Sequence, residues 1–139
     1  MTYASQQDLI DRFSQDEILQ LADRNNDGVI DATVVARALS DADSKINAYL
    51  ESVYSLPLVT VPPVLVSLAA DMARYLLYDT RPNDQVRLRY TDALAFLDGV
   101  ATGKRSLGID ANNQPEAVAG GVSIFANDRV FSSDTLADY

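Results

Sequence analysis

Four oxygen-bearing side chains stand at odd-numbered positions of the stretch DRNNDGVID, residues 23–31. Asp23, Asn25, Asp27 and Asp31 fall at positions one, three, five and nine of an EF-hand calcium loop, with Gly28 at six and Ile30 at eight. Hard oxygen donors at that spacing can wrap a divalent cation. In that motif, position twelve is a Glu that binds through both oxygens. Here it is Val34, and no second loop is present to pair with the first. The same residues also make a helix–loop–helix corner: Asp23 and Asn25 turn the chain, Gly28 takes a positive φ, and Asp31 caps the next helix. The corner is the preferred reading. No metal site and no cofactor are expected, and Asp23, Asn25, Asp27 and Asp31 would hold a cation weakly if at all. The alternative is a calcium-dependent binding module on residues 23–34.

Other chemistries have less support. The 139 residues include no Cys and no His, which removes thiolate nucleophiles, disulfides, the usual structural zinc and imidazole bases. Asp16 with Glu17, and Asp41 with Asp43, are paired carboxylates only in sequence. Neighbours one or two apart on a helix face different directions, so they do not converge on a substrate. An enzyme is not expected. The net charge of −9 repels nucleic acid over long distances, so a phosphate-gripping module is disfavoured. An acidic wall along a DNA path remains compatible. Within 83–105 the balance reverses: Arg87, Arg89, Lys104 and Arg105 outnumber Asp84, Asp92 and Asp98. A basic side of one copy could meet an acidic side of the next, although a solvated helix face is the simpler reading. The N-terminal MTYASQQDLI lacks the basic start and apolar run of a signal peptide. No apolar run reaches the roughly 18 residues of a membrane span. A soluble protein of the cytoplasm is expected.

The elements that carry these residues read as helices. An apolar share of 47% can supply a core, and the length suits one domain. Ser5 caps a helix over 5–13. Ser14-Gln15-Asp16-Glu17 has the capping-box form and starts a second helix. After the loop, with Asp31 or Thr33 as cap, a long helix runs to about Tyr54. Its stripe is Val35, Leu39, Ala42, Ile46, Tyr49 and Val53. Pro57 and Pro62-Pro63 hold 55–61 extended. The helix 63–79 has the widest apolar face, built on Leu65, Leu68, Ala69, Met72 and Leu76, so it is expected at the centre; Asp71 and Arg74 on it could pair. Asn83 caps a helix over 84–102, and Gly103 ends it. Tyr49, Tyr75 and Tyr90 fall on stripes. Tyr3 and Tyr139 lie at the ends, where exposure or a subunit contact is expected. These elements predict a mainly α fold: a small bundle of about four to five helices over 1–103, then an arm over 104–139. The arm carries a possible β-hairpin about Asn127-Asp128 and a final turn capped by Ser133.

The segments YASQQDLIDRF, LADRNNDGVID, ALSDADSKINAYLESVYSLPL, LAADMARYLLYD, VRLRYTDALAFLDGVATGKRSLG and RVFSSDTLADY resemble, in order and spacing, small head–tail connector (head-completion) proteins of Mu-like phages and prophages. The resemblance implies a non-enzymatic virion protein. It would form a homo-oligomeric ring of about twelve copies at the portal vertex, retaining packaged DNA and joining the tail. The implied partners are other copies, the portal protein and a tail or tail-terminator protein. DNA would pass through without sequence-specific binding, and no membrane is involved. The implied location is the head–tail junction of the virion, and the host cytoplasm during assembly. Arg87, Arg89, Lys104, Arg105, Arg129, Phe131 and Tyr139 are the candidate contact residues.

Overall fold

A computed structural model of the chain describes residues 2–109. Among them five helices follow one another: α1 Gln6–Phe13, α2 Gln15–Ala22, α3 Ala32–Leu50, α4 Pro63–Leu77 and α5 Asp84–Ala101. The expected mainly α bundle is the fold. The hairpin about Asn127-Asp128 and the last turn at Ser133 lie outside the described residues.

The starts of these helices follow from their caps. The Asp8 amide donates to Ser5 Oγ at 3.2 Å, and the Ser5 amide donates back to the Asp8 carboxylate at 2.8 Å. That reciprocal bonding, first the Ser5 amide and then its hydroxyl, holds the Asp8 carboxyl below its ordinary range. The second box forms by half. The Glu17 amide donates to Ser14 Oγ at 3.3 Å, but the Glu17 carboxylate reaches Arg74 instead of turning back to Ser14. Asp31, rather than Thr33, caps α3, taking the amides of Thr33 at 2.9 Å and Val34 at 3.4 Å. Asn83 caps α5 through the Val86 amide at 2.9 Å.

Two helices stop earlier than the apolar pattern predicts. α3 ends at Leu50, not Tyr54, because the amides of Val53 and Tyr54 both fold back onto the Leu50 carbonyl. Tyr54 is then buried, and its hydroxyl accepts the Leu107 amide at 3.3 Å. α4 ends at Leu77, where the Arg24 guanidinium takes the free carbonyl at 3.2 Å. The end of α5 is as expected: Lys104 donates to the Gly99 carbonyl at 2.8 Å and Gly103 to Val100 at 3.1 Å, with Gly103 at φ +82°. This is the paired bonding of a Schellman motif, which needs a left-handed residue at Gly103.

α4 lies against α1, α3 and α5 and is the central helix. Its buried face is Leu65, Ala69, Ala70, Met72, Ala73 and Leu77, rotated slightly from the predicted stripe, so that Leu68 and Leu76 are half-buried. Small Ala70 and Ala73 let the neighbouring helices come close. Leu9, Ile18, Ile46, Leu50 and Leu97 complete the core from the other four helices. Each such side chain stabilises the fold by roughly 1.5–3 kcal/mol relative to exposure. Residues 104–109, which composition groups with the arm, lie on the body: Leu107 and Ile109 are buried.

Candidate functional site

The acidic loop is a closed hydrogen-bonded corner. The Asp27 amide donates to one Asp23 carboxylate oxygen at 3.0 Å, and the Gly28 amide to the other at 2.8 Å. The Val29 amide donates to Asp27 at 2.9 Å. The Asp31 amide closes the loop onto the Ala22 carbonyl at 3.1 Å, and its carboxylate caps α3. Asn26 and Gly28 supply the left-handed backbone, at φ 65° and 80°. Desolvation works to raise the Asp23 pKa, but the amides of Gly28, Asp27 and Asn26 together outweigh it and hold the carboxyl below its ordinary range. The oxygens at loop positions one and nine thus already face backbone donors. Val34, at position twelve, is half-buried against the core. Among the described residues, no three His, Cys, Asp or Glu side chains converge on a point that could hold a metal ion.

The paired carboxylates part company. Asp41 is exposed, whereas Asp43 is 7% exposed and turned inward. Its Oδ1 accepts the Tyr3 amide at 3.0 Å. Burial pushes the Asp43 carboxyl above its ordinary value, and the Tyr3 amide offsets part of that. The Tyr3 hydroxyl donates to Asn47 Oδ1 one turn further along α3. Tyr3 is therefore buried, at 3% exposure, and not the exposed end residue that its position suggested. Its side chain fills a slot on α3, and that burial outweighs the usual fraying of a terminus.

Two more charged clasps join segments distant in sequence. Arg74 bonds Glu17 through Nε at 2.5 Å and a terminal nitrogen at 3.0 Å, and it lies over the Phe13 ring at 4.4 Å. Arg24 of the loop pairs with Asp79 beyond α4. The suggested Asp71–Arg74 pair does not form; Asp71 meets Arg89 at 3.5 Å. Burial dominates at Asp71 and raises its pKa against the opposing pull of Arg89. Tyr75 and Tyr90 stack between α4 and α5, with ring centres 4.0 Å apart.

The basic candidates lie on the surface. Arg87 pairs with Asp84 at 3.5 Å, and Arg89 with Asp71 at the same distance. The Arg87–Asp84 pair is exposed on both sides and adds little, whereas Asp71 is largely withdrawn from water beneath Arg89. Lys104 is exposed, and Arg105 lies over Phe96 at 5.2 Å. Arg129, Phe131 and Tyr139 lie outside the described residues. The clasps had a legible signal: Asp43 stands four residues after Leu39 and three before Ile46, and Arg74 stands four after Ala70 and three before Leu77. A charge on an apolar stripe must find a partner when the stripe is buried.

These features define a small helical protein held together by capped helix ends and charged clasps, with no helix among the described residues long and apolar enough to cross a membrane. Residues 3–126 match the family described as Bacteriophage Mu, Gp36, and the chain belongs to that family. It is 38% identical over 112 residues to the Mu-like prophage FluMu protein gp36 of Haemophilus influenzae, a match covering 81% of this chain and 79% of that one. It is 30% identical over 112 residues to gene product J of Escherichia phage Mu, covering 80% of this chain and 79% of that one. The expected kinship with proteins of Mu-like phages and prophages holds.

Proposed function

We propose that this protein is a structural or assembly component of a Mu-like phage particle: a non-enzymatic adaptor that joins head to tail at the portal vertex. Copies associate as a ring, retain packaged DNA and present a surface to the tail. Membership of the Gp36 family carries the reading. The physical features agree with it. The candidate loop uses its carboxylates to fold the backbone, and the net charge of −9 leaves moving DNA unbound. Partners are further copies, the portal protein and a tail or tail-terminator protein, met through Arg87, Arg89, Lys104 and Arg105 and the arm residues Arg129, Phe131 and Tyr139.

The test is mass measurement of the chain alone and with portal-bearing particles, followed by imaging of the vertex. A ring at the vertex is the expected result; a chain that never joins particles refutes the proposal. Deleting residues 120–139 is expected to preserve the helical circular dichroism signal while weakening assembly. Collapse of that signal, or full assembly without those residues, counts against the arm as a contact element.

A further inference from the structure

One residue separates α1 from α2. Ser14 sits at φ 85° and ψ 150°, a backbone region that is almost exclusively glycine's. Ser14 caps the helix that follows, but a serine cap does not require this left-handed backbone. Residues 5–22 contain no Gly and no Pro. In an unbroken helix Ile10, Phe13, Glu17, Ile18 and Leu21 would share a face at spacings of three and four. The helical bonds that bracket the joint already exist: Ser14 donates to the Ile10 carbonyl at 2.9 Å, and Ile18 to the Ser14 carbonyl at 3.3 Å. Straightening would give up the 3.3 Å cap bond to Ser14 Oγ. It would add the bonds from the amides of Gln15, Asp16 and Glu17 to the carbonyls four residues before each. The cap accounts for a helix start but not for φ 85°, so restraints from outside the segment contribute to the bend.

The outside restraints fall on both sides of the joint. Glu17 and Phe13 are both held by Arg74 of α4. The far end of α2 is tied to α3 by the Asp31 amide on the Ala22 carbonyl. The near end of α1 is hydrogen-bonded to α3 through Tyr3, at Asp43 and Asn47, and α1 itself packs against α3 and α4 with Leu9 buried. With α2 held at Glu17 and Ala22, straightening the joint would move α1 rather than α2. It would uncover the slot that buries Tyr3, Ala4 and Leu9. Because that slot is shaped for α1, the segment that fills it best is the same segment of a neighbouring copy.

We propose that Ser14 is a hinge, and that on assembly α1 with Tyr3 passes to the adjacent copy while α1 and α2 join into one continuous helix. Exchange of an identical element costs little because every contact is remade, and a short strained connection favours it. The proposal rests on the self-assembly argued above, and the occupant it commits to is a second copy.

The chain has no cysteine, so introduced thiols stand alone. Thr2 and Ser44 line the same surface depression beside Asp43 and are both exposed. The full chain carrying Thr2→Cys and Ser44→Cys is incorporated into particles and treated with a short bismaleimide. Exchange predicts covalent dimers and longer ladders on a denaturing gel, replacing the single-chain product of the dilute free protein. Particles that contain the protein but yield only the single-chain product overturn the exchange and leave the ring intact. Protein that never enters particles refutes the ring reading, and the exchange with it. In the same cysteine background, Ser14→Gly is expected to lower the interchain fraction several-fold, because glycine accepts the bend. Ser14→Ala is expected to raise it, because alanine favours the straight helix and lacks the cap. Identical fractions in all three chains overturn the hinge.

Discussion

Arg74 of α4 grips Glu17 of α2 with two nitrogens while its guanidinium covers the Phe13 ring, so a single side chain holds residues on both sides of the α1–α2 joint. The two side chains are 11% and 26% exposed, partly withdrawn from water. Such a pair is costly to break from one side, because the survivor keeps its desolvation without its partner. Glu17→Ala is expected to destabilise the fold by about 2 kcal/mol. Arg74→Ala should cost roughly 3 kcal/mol, since the Phe13 contact goes too. The double variant should fall short of the sum, as coupled residues do. Urea unfolding followed by circular dichroism measures all three.

The loop is expected to respond to loss of geometry and to ignore calcium. Asp23→Ala takes the carboxylate from the amides of Asp27 and Gly28 and should lower stability. Gly28→Ala meets no atom, but it must hold φ +80° with a Cβ, at a cost of about 1 kcal/mol. Calcium at tens of micromolar should leave the amide spectrum unchanged. A saturable shift at those concentrations would revive the binding-module alternative.

Acid titration should separate Asp43 from Asp8 and Asp23. The unfolded Asp43 carboxyl titrates near 3.8, and burial places the folded one above that. Between those two pH values the folded chain holds the proton more tightly, so protonation there favours folding. Above the folded value the buried charge lowers stability. Asp43→Asn keeps an oxygen for the Tyr3 amide and removes the charge. Its advantage over the parent should be greatest at neutral pH and fade as pH falls toward 3.8. Asp8 and Asp23 run the other way. Their folded carboxyls titrate below 3.8, so their contribution is present above that pH and is lost as pH falls through the folded values. Asp8→Asn and Asp23→Asn should therefore be most destabilising near neutrality.

Ser14 stores backbone strain of about 1–3 kcal/mol. Ser14→Gly removes that strain and loses only a few tenths of a kcal/mol of capping. The free chain should gain about 1 kcal/mol, visible as a higher urea midpoint at unchanged slope.

Much of this architecture was legible from local chemistry. Ser5, Asp31 and Asn83 are caps by residue type and position, because the first amides of a helix need an oxygen within reach. Gly28 and Gly103 mark left-handed backbone for want of a Cβ. The apolar repeat placed α4 at the centre, and the turn and cap roles of Asp23, Gly28 and Asp31 followed from their types and spacing. Family membership, too, was visible in the order of segments.

What the sequence could not settle was which charged residue finds which partner, and where a helix stops against its pattern. Glu17 looks like the second half of a capping box until Arg74 arrives from a residue 57 positions away. Asp71 and Arg74 are spaced to pair, yet each is claimed by another segment. The break at Ser14 was legible from its capping box, but its left-handed backbone was not, and Tyr3 reads as a loose end. The reason is physical. Helix formation and capping are decided within a turn or two of chain, where sequence distance and spatial distance agree. Ion-pair choice and the burial of Asp43 depend on desolvation and packing between α2, α3 and α4, and those helices meet only after the chain has folded.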